Sequence, residues 1–116
     1  MSTLPNAHLA SIDERKITAY LLSDSHPAGR AKAAFFRQHG FRVSAWTVLR
    51  EALIAHAQAA EIISTRETEF GTKYIVDGAL TAPDGQTPRL RGIWFAARGE
   101  KIVRLVTAYP APGGER

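Results

Sequence analysis

Cysteine is absent from the 116 residues, so neither a disulfide framework nor a thiolate metal site is available and the fold must be held by packing. The same absence suits a reducing compartment, and a cytoplasmic location is the expectation. No run approaches the roughly 20 apolar residues of a membrane span, and Met1 to His8 lacks the basic-then-apolar layout of a secretory signal. No membrane partner is expected. The four histidines, His8, His26, His39 and His56, stand at no ligand spacing, which gives no reason to expect a metal. Neither a Walker loop nor a glycine-rich dinucleotide fingerprint follows a strand, so no cofactor is expected and nucleotide hydrolysis and hydride transfer lose their usual cradle. Carboxylates are equally unhelpful: Glu67 and Glu69 flank a turn and Asp77 stands alone in a strand, which makes a poor acid–base pair.

What is present is enough apolar sequence, 45% of the chain, to fill one core at this length. One domain over 1–110 is expected, with 111–116 as a frayed tail, because Pro110, Pro112, Gly113 and Gly114 cannot continue a strand or helix. The net charge of +4 and pI of about 9.9 favour polyanions, RNA among them, over cations.

The composition shifts once, near Ala60, from alanine-rich helical sequence to β-branched and aromatic sequence. Asp13 caps a short helix carrying Ile17, Tyr20 and Leu21 that ends near Ser23. A second helix starts after Pro27 and stops at Gly40. A third has Ser44 as its N-cap and Trp46, Leu49, Leu53, Ile54 and Ala57 at helical spacing. Strand propensity then takes over in Ile62 to Thr65, Thr72 to Leu80, Arg89 to Ala97 and Lys101 to Tyr109, separated by turns at Gly71, Pro83-Asp84-Gly85 and Arg98 to Glu100. The expected fold is α+β, with three N-terminal helices on one face of a four-stranded antiparallel meander.

A final turn on Gly99 and Glu100 sets Trp94 opposite Leu105, Gly92 opposite Thr107 and Leu90 opposite Tyr109. A two-residue turn on Asp84 and Gly85 sets Asp77 opposite Gly92. One face then holds Lys73, Ile75, Asp77, Gly92, Trp94, Leu105, Thr107 and Tyr109. The other holds Tyr74, Val76, Leu80, Arg91, Ile93, Phe95, Arg104 and Val106 and is the better apolar seat for the helices. A one-residue bulge exchanges part of the two sets.

Three constellations bear on chemistry. His26 to Lys32 places an imidazole in a loop and an amine one turn into a helix, beside backbone amides at the helix start. That is a candidate anion site and a candidate acid or base beside a charge stabiliser; the bland alternative is a loop histidine satisfying backbone groups. Thr107 and Tyr109 project two hydroxyls from one strand, able to hold a phosphate or merely marking the strand's exit into water. Lys73, Arg89, Arg91, Arg98, Lys101 and Arg104 concentrate positive charge on the sheet half, with Tyr74, Trp94 and Phe95 as stacking surfaces for RNA or as ordinary core and strand residues.

The stretch Leu4-Pro5-Asn6-Ala7-His8-Leu9-Ala10, then Lys16 through Leu22, His26, Pro27, Gly29, Lys32 and Ala33, then Gly71-Thr72-Lys73-Tyr74 and the ending Arg104 to Pro110 resembles a bacterial family of small domains of unknown function, stand-alone or toxin-terminal. The resemblance runs over about residues 3 to 110. More distantly, helices followed by a four-stranded meander with a late Thr and Tyr are similar to the ribonuclease fold of barnase, EndoU, colicin and RelE type toxins. That likeness implies RNA cleavage without a metal, with His26, Lys32, Thr107 and Tyr109 as catalytic residues and Arg91 binding the substrate phosphate; the charge and stacking pattern of the sheet half adds Lys73 and Trp94 as substrate-binding residues. The alternative, from another functional class, is a non-catalytic binding module, an accessory or immunity component of a toxin pair. It would use the sheet surface or the exposed first strand near Ile62 to Thr65 to pair with a protein partner.

Overall fold

A computed structural model of the chain describes residues 2–112. Asp13 opens the helical half as expected, its carboxylate accepting the Arg15 amide at 2.8 Å. The short α1 (Glu14–Lys16) runs straight into a π-helical stretch, Ile17–Leu21, closed by the Leu22 amide on the Ile17 carbonyl at 2.8 Å. Helix α2 (Arg30–Gln38) ends before Gly40, whose φ of 97° few other residues adopt. Helix α3 (Trp46–Ala59) departs from the sequence expectation at its start. Ser44 lies inside a 3₁₀ turn, Val43–Ala45, and caps nothing, because the non-helical residue that precedes α3 is Ala45, at φ −131° and ψ 50°.

The strands β1 (Glu61–Thr68), β2 (Gly71–Ala79), β3 (Arg89–Ala97) and β4 (Val103–Pro110) form an antiparallel meander in the order β1-β2-β3-β4. The helices cover one face. Ile17, Leu21, Phe36, Leu49 and Leu53 pack with Val76, Leu90, Trp94, Leu105 and Ala108 in one continuous core. The amino-terminal segment crosses from one sheet edge to the other: the Ser2 carbonyl accepts the Ile62 amide of β1, and Ser11 exchanges bonds with Val103 and Leu105 of β4. Such contacts shield part of each strand edge from unwanted pairing.

Two register details correct the expected faces. The β2–β3 connection closes on the three residues Pro83-Asp84-Gly85, with Gly85 at φ 85° and the Ala82 amide bonded to the Gln86 carbonyl. That extra loop residue moves the ladder by one, so Asp77 faces Arg91 and Val76 faces Gly92. In β4 the expected pairing of Trp94 with Leu105 holds, but Val106 is a bulge, and beyond it Ile93 faces Thr107 and Arg91 faces Tyr109. Gly92, Trp94 and Leu105 therefore join Val76 on the helix side, while Arg91, Ile93, Thr107 and Tyr109 join Lys73, Ile75 and Asp77 on the open side. Ala111 is buried and its amide reaches the Arg89 carbonyl; residues 113–116 of the expected tail lie outside the described residues.

Two histidines with no chemistry assigned to them are structural. His39 Nδ1 meets the Asp84 carboxylate at 2.9 Å, tying the end of α2 to the β2–β3 turn. There the Gln86 amide leads the effects that hold the Asp84 carboxyl below its ordinary value, the bond to His39 adding to it. His56 is buried on α3 and donates Nε2–H to the Leu90 carbonyl at 2.8 Å. Burial lowers its pKa, against the pull of the nearby Leu90 and Gly78 carbonyls.

A neutral buried imidazole makes folding pH-dependent. Because the unfolded chain takes up the His56 proton first, its contribution is complete above about pH 6.5 and declines, by up to ~1.4 kcal/mol per pH unit, as the pH falls from there toward the lowered folded value. Urea unfolding at pH 7.5 and 5 should show that loss, and His56→Gln, which keeps a donor for Leu90 without a titrating ring, should reduce it.

Candidate functional site

At the open side of the sheet, β4 supplies Thr107 and Tyr109, and the π-helical stretch brings Tyr20 to them. The Tyr20 hydroxyl and Thr107 Oγ1 share a hydrogen bond of 3.0 Å. Lys32 on α2 sets its ammonium 5.5 Å from the Tyr20 ring centre and 5.9 Å from that of Tyr109, and Lys16 adds a second ammonium 5.3 Å from the Tyr20 ring. His26 stands edge-on to Tyr20 with ring centres 5.0 Å apart. His26, Lys32, Thr107 and Tyr109, separated widely in sequence, thus gather around one phenol that sequence reasoning assigned only to an apolar helical pattern.

Arg91 joins them from the next strand. Its guanidinium grips Asp77 through two bonds of 2.8 and 3.0 Å, a planar fork on a carboxylate, and it faces Tyr109 across the ladder. The bond to Asp77 raises the Arg91 pKa, opposed by burial and reinforced by Tyr109. The expected register turned Arg91 away from Thr107; the bulge at Val106 brings the two onto one face.

Other expected members do not converge. Trp94 is 1% exposed and fills the core, where its Nε1–H has no acceptor among the described residues and sits 3.0 Å from where a side chain on Gly92 would begin. It presents no ring for stacking. Lys73 shares the open face but lies four residues along β2 from Asp77, about 13 Å away, beside Ser64, Arg66 and Ile75. Just ahead of α2 the loop histidine satisfies backbone groups, the plainer of the two alternatives. Ala28 N–H bonds the His26 ring, and Gly29 and Arg30 N–H bond the His26 carbonyl. Gly29 is there for fit, because a Cβ would fall 2.2 Å from the Tyr20 carbonyl oxygen.

The electrostatics centre on Tyr20. Partial burial raises its pKa, but the bond to Thr107 and the charges of Lys32 and Lys16 outweigh it, leaving the phenol more acidic than an ordinary tyrosine. An open groove of about 660 Å³ runs past it, lined by Arg15, Lys16, Tyr20, His26, Val106 and Thr107. A hollow of about 370 Å³ at the far end of the sheet, among Glu67, Thr72, Arg98 and Lys101, contains none of these groups. Among the described residues no three His, Asp or Glu side chains cluster as metal ligands, and no helix is long and apolar enough to cross a membrane.

Residues 3–112 match the model of a domain of unknown function, DUF6883. The chain belongs to that family. No curated protein matches the sequence. Among solved structures, the fold is shared with a chain of a contact-dependent growth inhibition toxin–immunity protein complex from Klebsiella pneumoniae 342, at TM-score 0.67 and 16% identity, covering 86% of this chain and 98% of that one. At that identity the likeness concerns the fold.

The Asp77–Arg91 fork is the part of the site most open to a thermodynamic test. A double-mutant cycle with Asp77→Ala and Arg91→Ala should return a coupling of about 1–3 kcal/mol in urea unfolding, with either single change costing more than half of the double. Coupling near zero would mean that the pair does not hold the guanidinium in place.

Proposed function

We propose that this chain is a metal-independent, toxin-type ribonuclease domain that cleaves RNA phosphodiesters. The convergence of His26, Lys32, Arg91, Thr107 and Tyr109 on one face around Tyr20 carries the reading. A scissile phosphate seated there meets two cationic side chains, an imidazole edge and three hydroxyls, the inventory that stabilises a pentacoordinate phosphorane and moves protons without a metal ion. Lys32 and Arg91 offset the charge that develops on the phosphate oxygens. Thr107 and Tyr109 orient the reacting group, and His26 offers an N–H. The surplus of positive charge draws RNA toward the face. The fold shared with a chain of a toxin–immunity complex agrees with a toxin-pair setting.

A second reading has its own observation. Strand β1 is exposed along nearly its whole length at the sheet edge, with Ile63 half-exposed and Phe70 72% exposed at the following turn. An accessory or immunity module could bind its protein partner by strand pairing there.

Purified protein incubated with total RNA and with tRNA, with and without EDTA, decides between them. Cleavage that is indifferent to chelator and falls at least about a hundredfold in both His26→Ala and Thr107→Ala is the expected result. Intact RNA at high protein concentration would favour the partner module.

A further inference from the structure

We propose that Tyr20 is the proton donor to the leaving oxygen at this site. The proposal rests on the ribonuclease reading and changes which residue moves the proton. His26 is the residue type usually chosen for that task, but its Nδ1 already accepts the Ala28 amide at 3.1 Å. The neutral ring therefore carries its proton on Nε2, and its open edge is a fixed donor that cannot accept a proton without first abandoning that bond. It is suited to hydrogen-bonding a phosphate oxygen. Lys32 spends one donor on the Ala28 carbonyl and otherwise lies against two rings, while Arg91 is held by Asp77.

Tyr20 differs from all of these. Its Oη shares a hydrogen bond with Thr107 Oγ1 at 3.0 Å, the Lys32 ammonium also acts on it, and its ring lines the open groove. The charges around it are mostly positive: Arg15 and Lys16 from the α1 turn and Lys32 from α2, with Arg91 beyond Tyr109, against Asp13 at the groove wall. The His26 ring and the Tyr109 phenol complete its titratable surroundings. A phenolate formed here is stabilised by the Thr107 hydroxyl turning to donate and by two ammonium groups over the ring. The lowered pKa of the phenol follows from the same contacts and makes it a better acid than a free tyrosine.

The substrate 2′-oxygen attacks phosphorus, its proton passing to water, while the bond from phosphorus to the 5′-oxygen breaks. The leaving 5′-oxygen takes the Tyr20 Oη proton, giving a 2′,3′-cyclic phosphate and a 5′-hydroxyl. The Tyr20 phenolate then recovers a proton from water, and no oxidant, reductant or metal enters.

The test uses Tyr20→Phe, which keeps the ring that packs beside His26 and Lys32. With an RNA oligonucleotide the variant should lose about 10²–10⁴-fold in kcat while its melting curve stays near that of the parent. With the same oligonucleotide carrying a 5′-bridging sulfur at the scissile bond, whose thiolate departs without a proton, variant and parent should differ by less than tenfold. The parent's rate should fall on the alkaline side with a midpoint below the ordinary tyrosine value of about 10, and absorbance titration should show a phenol of that midpoint that is missing from Tyr20→Phe. Equal rates on RNA, an undiminished deficit on the sulfur substrate, or a rate that rises through that titration would each overturn the role of Tyr20 with the ribonuclease reading intact. A parent protein that cleaves neither substrate would remove both.

Discussion

One extra residue in β4 decides what this sheet displays. Strand alternation alone would place Leu105, Thr107 and Tyr109 on the same side, which would either push two hydroxyls into the core or expose a leucine. The bulge at Val106 resolves the conflict, since Leu105 and Ala108 both pack inward while Thr107 and Tyr109 face Ile93 and Arg91 on the open side. Bulges commonly re-aim side chains near functional sites. Here the displacement brings hydroxyls from β4 into register with the Asp77–Arg91 fork of the central strands.

The helical layer completes the site from the other direction. Helices cover the opposite face of the sheet, so a helical residue reaches the open side only around the β4 edge, and the π-helical stretch at Ile17–Leu21 is where that happens. The wider turn carries Ile17 and Leu21 into the core and Tyr20 outward to Thr107. Gly29 then lets α2 approach so closely that its first turn rests on the Tyr20 carbonyl, which sets Lys32 over two rings at once. Two carboxylates stand near this junction, Asp13 at the groove wall and Asp77, which is committed to Arg91, so the remaining field is mostly positive and acts on the phenol and on any anion in the groove.

The meander, its order and three of the four strand positions were legible because Gly71, the Pro83-Asp84-Gly85 turn and Gly99 punctuate an otherwise β-branched second half. So were Asp13 as a cap and Gly40 as a stop. Register was less legible, because a loop of two or three residues at Asp84 reads alike in sequence and differs by one position in every pair that follows. That single step sent Trp94 to the core and Arg91 to the open face. Tyr20 was hidden for a related reason: between Ile17 and Leu21 it continues an apolar helical stripe, and only the π turn and the β4 edge make it a surface group. His56 reads in sequence as one of several scattered imidazoles, and nothing local reports the Leu90 carbonyl on β3 that it meets.

The two functional readings occupy opposite edges of one sheet, and the spacing between strands constrains how they relate. Three inter-strand steps separate β1 from β4, about 14 Å, so a partner that merely adds a strand to β1 leaves the β4 cluster uncovered. A partner that silences the cluster must instead lie across the open face or the groove beside Tyr20. Because that surface is lined by Arg15, Lys16, Lys32 and Arg91, it would match the site best with carboxylates, the same charge that RNA brings. Strand pairing at β1 and occlusion at β4 are then separable, and a protein that binds by the first alone would leave the groove open.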